Sequence, residues 1–223
     1  MTTVSAKIQQ NPTDFSRTWT RIAGYSGIAF VVLFIALGAS IAAAAPTFTD
    51  GADELRTWFA PFVAGLLQLI FAVGLLRRLS VGDTSGGVVP RISFAGIVAQ
   101  TGAALVGLSL WALLTLDPIL AEASDGLLLA ISAMDSIVFF ALMPWAMAIF
   151  FVFASVLILQ TRIMPAWMAG LGVVAGVVPV IGGTWLLSGD PGSAIRDIGF
   201  VGELAGMVWV LFASVFLIRS TAD

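Results

Sequence analysis

Neither cysteine nor histidine occurs among the 223 residues. Their absence excludes disulfides, thiolate chemistry, His-ligated haem, ordinary zinc sites and every Ser-His or Cys-His catalytic arrangement. Charge is scarce too. Charged residues make up 10% of the chain, against roughly 25% in an ordinary globular protein. The ten basic residues are scattered and the net charge is −3, which leaves no footprint for nucleic acid. Apolar residues reach 59% and the mean hydropathy is +1.04, so lipid is the solvent for most of the chain.

Catalytic motifs are missing as well. There is no Walker loop, no dinucleotide glycine fingerprint and no paired Gly-Asp motif of an aspartyl intramembrane protease. An enzyme built from this sequence would depend on carboxylates, or on a metal held wholly by oxygen. The reading therefore leans away from an enzyme, with no cofactor and no metal site expected.

What is present is apolar length. A membrane-spanning helix needs about 20 consecutive apolar residues, and six stretches qualify: 22–45, 60–76, 92–116, 136–159, 166–187 and 198–218. They are apolar on every side, which excludes outer-membrane strands of alternating polarity. The expected fold is all-α, a bundle of six transmembrane helices over 19–219. A polar tail (1–18) precedes it and a stub (220–223) follows.

The charges sort with this layout. With both termini cytoplasmic, Lys7, Arg17, Arg21, Arg77, Arg78, Arg91, Arg162 and Arg219 lie inside, and only Arg56 and Arg196 lie outside. That is the positive-inside pattern, alternating across every loop. The expected location is a cell membrane, a bacterial cytoplasmic membrane in particular. The first span imitates a secretory signal through Arg17, Arg21 and the run Ala42-Ala43-Ala44-Ala45. Its apolar stretch is too long for a signal core and Pro46 follows the likeliest cut, so it reads as a retained anchor. Residues 50–59 suit an interfacial helical turn. Residues 127–134 would make the fourth span too long for one crossing, so a break near Asp135 or an outward projection is expected.

Helices in lipid approach through small residues. Ala95, Ala99, Ala103 and Gly107 form a four-residue stripe on the third span; Gly172 and Gly176 mark the fifth, Gly202 and Gly206 the sixth. Intramolecular packing is the simpler reading, and a homo-oligomer face the sharper one. Pro144 and Pro179 lie inside spans, where each removes a backbone donor. Five of the seven tryptophans sit near span ends as interfacial anchors, whereas Trp145 and Trp209 are deeper.

Glu203 is the one acid plainly inside the membrane, about five residues into the last span. Intramembrane carboxylates are costly and usually face a bundle interior or a watery cavity. The neutral acid is the expected form unless a cation accompanies it. It is read either as a proton-coupling or cation-binding group, or as a structural acid paired with Gln68 or with a carbonyl freed at Pro179. Asp135, at the outer start of the fourth span, either approaches Glu203 or caps its helix. Gln68 and Gln100 read as interhelical glue. An inverted-repeat transporter should show matching broken helices, and Pro179 has no counterpart if Pro61 merely starts the second span.

Several short motifs run through this layout: Arg21-Ile22-Ala23-Gly24, then 159–170 (LQTRIMPAWMAG), then Gly202-Glu203-Leu204 with Trp209. Over residues 21–219 the chain resembles a family of bacterial six-span membrane proteins catalogued only as a domain of unknown function. The resemblance implies the six-helix fold and a recurrent position for Glu203, and no activity.

The functional expectation is a protein that binds or carries a lipophilic or cationic small molecule in an outward-facing pocket around Glu203, with Asp135, Gln68, Pro144 and Pro179 about it. The rival is a structural or regulatory subunit of a larger membrane complex. The lipid bilayer is the expected partner, beside a homo-oligomer or membrane-complex partner.

Overall fold

The computed structural model describes residues 12–44, 51–113, 124–188 and 194–220. Residues 1–11 of the expected tail, 221–223 of the stub, and loop residues 45–50, 114–123 and 189–193 lie outside them. The side chains of Arg56, Trp58, Trp111 and Arg196 also lie outside the described part.

With no water in the hydrocarbon layer, backbone donors and acceptors must pair within each segment, and a helix does this locally. The helices are α1 (Pro12–Ala44), α2 (Gly51–Leu79), α3 (Val88–Leu113), α4 (Asp125–Ile137), α5 (Met143–Thr161), α6 (Ala166–Gly183), α7 (Trp185–Ser188) and α8 (Ala194–Arg219). A π-helical turn, Val138–Leu142, joins α4 to α5. Six helical stretches are long and apolar enough to cross a membrane, so this is an all-helical, multi-pass membrane protein.

Boundaries differ from expectation in two places. Helix α1 begins at Pro12, inside the stretch expected as a tail, with proline at a first-turn position where its missing N–H costs nothing. Residues 51–59 continue directly into the second span rather than forming a separate turn, so Pro61 lies inside α2. The apolar span itself still begins at Pro61 and runs to Leu79, so Pro61 starts the second span as expected. Of the two alternatives for the fourth span, the break near Asp135 is absent: the helix runs unbroken over Asp125–Thr161, 37 residues, about 55 Å at 1.5 Å per residue and longer than a 30 Å hydrocarbon core. Its apolar first part, α4, has no buried residues.

The π turn belongs to Pro144. Lacking an N–H, Pro144 cannot donate to the carbonyl of Phe140. The helix widens just before it, and the Met143 N–H bonds to the Val138 carbonyl five residues back. A side chain at position 183 would collide with the Phe140 carbonyl oxygen, so only glycine lets α6 close against this turn.

Neighbouring helices follow chain order around a ring: α1 on α2, α2 on α3, α3 on α4 and α5, α5 on α6, α6 on α8, and α8 back on α1. Arg17, Arg21, Arg77, Arg78, Arg91, Arg162 and Arg219 collect at one end of the ring, its basic end. The half of the bundle next to that end is solid. Phe71, Leu75, Leu79, Phe150, Leu157, Ile158, Trp209 and Leu217 are buried there. Trp209 donates from Nε1 to the Met168 carbonyl at 2.8 Å and meets Phe150 and Phe151 edge-on.

Small residues close the seams, though not all of those expected. Gly172 lies against Ser155 and Trp209, Gly176 against Ala148, Gly202 against Pro179, and Gly206 against Phe151. Gly107 meets the Phe139 ring. Ala95 and Ala99, by contrast, are exposed on the outside of the bundle and Ala103 is half-buried. Helix α3 instead turns Ser93, Gly96, Ile97, Gln100 and Thr101 inward. Ser93 Oγ donates to the Phe150 carbonyl at 2.9 Å, and the Phe150 backbone lies where a Cβ on Gly96 would stand. Ser93 gains an interior partner that an alanine methyl could not use, and Gly96 permits the close approach to Phe150 beside it.

The indoles divide differently as well. Trp145 faces outward at 63% exposure despite its depth, whereas Trp185 is buried edge-on against Phe140 rather than sitting in an interfacial belt.

Candidate functional site

The half of the bundle away from the basic end is hollow. A cavity of about 530 Å³ lies inside the ring, walled by α1, α2, α3, α4, the π turn, the start of α5, and α8. Its polar groups are Gln68 from α2, Gln100 and Thr101 from α3, Asp135 and Ser136 from α4, and Glu203 from α8. Phe30, Phe34, Phe139, Phe140 and Phe200 supply much of the apolar wall. A void of about 40 Å³ adjoins it toward the solid half, and Gln68, Gln100 and Glu203 line both spaces.

Local structure explains this convergence. Asp135, Phe139 and Met143 are spaced by four along the long rod, so they share a face. The π turn adds a residue to one turn, so that Met147, Phe150 and Phe151 still point into the core below. On α8, Gly199 and Gly202 press against Gly182 and Pro179 of α6, which turns Glu203 away from that seam and into the cavity. Asp135 is not a helix cap. That role falls to Ser124, whose side chain accepts from the Leu127 N–H, and Asp135 lies about three turns further on.

The polar groups are poorly satisfied. Gln100 is 6% exposed, and its Oε1 has no hydrogen-bond partner. Asp135 Oδ1 is likewise shielded and unpartnered. No hydrogen bond or ion pair joins the Glu203 carboxyl to any described residue, so the expected pairing with Gln68 does not form. Thr101 is already engaged, donating to the Ile97 carbonyl at 2.9 Å. An unmade hydrogen bond to a buried polar group costs about 1–3 kcal/mol. These acceptors are therefore where a donor or a cation would be most stabilising. Among the described residues, no basic side chain lines the cavity.

The sequence candidates thus divide. Glu203, Asp135 and Gln68 line one cavity. Pro144 and Pro179 do not: both are buried between helices, Pro179 against Gly202 and Pro144 just beyond the π turn. They shape the wall from behind. Gln100 gains a place at the site rather than serving as interhelical glue. The phenylalanines of the wall escape a reading of the sequence, because aromatic residues in an apolar run carry no positional signal. Among the described residues no group of three or more acids has the arrangement of a metal site.

Fold and cavity define a multi-pass membrane protein with an acid-lined internal cavity. Compared with known proteins, the chain matches no family model, no curated protein and no solved structure.

Proposed function

We propose that this protein binds or carries a lipophilic cation in the cavity around Glu203. The observation that carries the reading is the convergence of two carboxylates and two carboxamides on a phenylalanine-rich space that no basic residue lines among those described. A protonated or quaternary amine would supply the missing charge to Glu203 and Asp135, and aromatic faces favour such cations by about 0.5–2 kcal/mol. An apolar body would fill the rest of the cavity, which has the size of ordinary small-molecule sites. We place the basic end in the cytoplasm and the cavity in the outer half of a bacterial cytoplasmic membrane, on the sorting of arginines. Membership of the six-span family is proposed on the short motifs around Arg21, Arg162 and Glu203.

The test is equilibrium binding of a lipophilic phosphonium cation to the purified protein, against a neutral molecule of the same shape. Saturable binding of the cation with at least tenfold preference supports the proposal. Equal binding of both would reduce the cavity to a nonspecific apolar space.

A second reading, a subunit of a larger membrane assembly, is favoured by one observation: the small, exposed face of Ala95, Ala99 and Gly102 on α3. Its test is the stoichiometry of the protein extracted in mild detergent, where a fixed partner or a stable oligomer would support it.

A further inference from the structure

The basic end carries a second opening, separate from the acid-lined cavity. It is a groove of about 540 Å³ where the end of α2, the turn between α5 and α6, and the end of α8 meet. Arg78 and Arg219 both line it, and no carboxylate does among the described residues. Arg78 is half-buried and its Nε has no hydrogen-bond partner. Arg219 is the last helical residue of α8, where a cation also complements the helix dipole.

The wall below the two guanidinium groups is apolar and turned outward. Trp167 is 53% exposed, Phe212 is 50% exposed, and their rings meet edge-on at 5.1 Å. Val215 continues the same surface. A free inorganic anion would use the arginines and leave this wall idle. A zwitterionic headgroup would bring an ammonium to a place where no described residue offers a carboxylate. A ligand with a phosphoryl anion at one end and a hydrocarbon chain at the other uses every part.

We propose that this groove is a binding site for an anionic glycerophospholipid. The phosphodiester sits on Arg78 and Arg219, and an acyl chain lies along Trp167, Phe212 and Val215. Guanidinium groups suit the phosphate because they present several donors in a planar fork. Basic pockets between spans at the cytoplasmic face are where such headgroups bind.

The experiment is competition between phosphatidylglycerol and phosphatidylcholine for the purified protein, read as lipid adducts by native mass spectrometry. The wild type should retain phosphatidylglycerol preferentially. Arg219→Gln and Arg78→Gln should each lower that preference about fivefold, and Arg78→Lys should keep most of it. An excess of inorganic phosphate should leave the lipid adducts in place. Because Arg219 is exposed, its replacement does not threaten folding, so the result stands even if Arg78→Gln fails to fold. Equal retention of the two lipids, an unchanged preference in Arg219→Gln, or displacement by inorganic phosphate would each overturn the proposal.

Discussion

Asp135 on α4 and Glu203 on α8 line the same cavity, although a long stretch of chain separates them and neither helix is the other's neighbour in the ring. What brings them together is the rotation of each helix. On one side the π turn ahead of Pro144 sets it, and on the other the glycine seam of α8 against Pro179 does. Two carboxylates facing one space, with no cation beside them among the described residues, is an unfavourable arrangement for a membrane interior. A ligand that brings positive charge relieves it.

Helix α3 offers a direct check on which face is packed. Gly96→Leu should destabilise the bundle, because the Phe150 backbone occupies the space a side chain would need, and overpacking of this kind costs about 1–3 kcal/mol or more. Ala99→Leu should be near neutral in the monomer, since Ala99 faces outward. Thermal unfolding in detergent measures both. The reverse order of effects would mean that α3 turns its alanine face, and not Gly96, toward its neighbours.

The turn between α2 and α3 has its own stabilising group. Asp83 accepts from the Ser85 N–H at 3.0 Å, the Ser85 hydroxyl at 2.7 Å and the Gly87 N–H at 2.8 Å. The bonds from Ser85 first, and from Gly87, hold its carboxyl below the ordinary carboxylate range. A lowered folded-state value means that the stabilisation is complete above the unfolded value and is lost as pH falls through the folded one. Asp83→Ala should therefore lower the melting temperature at neutral pH, and the gap from wild type should shrink below about pH 4. A gap that does not change with pH would remove the carboxylate from the account.

Much of this architecture is legible in the sequence, and the reasons are physical. Runs of about 20 apolar residues have one solution in lipid, and arginines mark one end of the bundle whatever the packing. Glu203 stands out because a carboxylate in such a run needs a reason. Helix rotation is harder to read. The even Ala95, Ala99 and Ala103 stripe has the pattern of a packing face, yet Ser93 and Gly96 decide the matter through contacts with Phe150 on a helix far away in sequence. Asp135 reads as a cap only if the fourth span starts there; the helix starts three turns earlier, and Ser124 caps it instead.

The orientation of the ring can be read by single-cysteine labelling in this cysteine-free chain. Thr84 is exposed in the α2–α3 turn, whereas Ser85 beside it is bound to Asp83 and is a poor choice. Gly126 is exposed at the start of α4, with open space for a side chain. Thr84→Cys should be protected from an impermeant maleimide in intact cells, and Gly126→Cys should be labelled. Labelling of both from one side would contradict the six-span arrangement.

The most direct measurement is the affinity of a lipophilic phosphonium cation for the wild type, Glu203→Gln and Glu203→Leu, each first checked for normal folding. Glu203 has no protein partner among the described residues, so both variants should fold. Loss of a charge-assisted contact of about 1.5–3 kcal/mol corresponds to binding weakened roughly ten- to a hundredfold. Glu203→Gln, which keeps the shape and removes only the charge, should show that loss in full. An unchanged affinity in Glu203→Gln, with the fold intact, would contradict the central claim that this carboxylate recognises a cation.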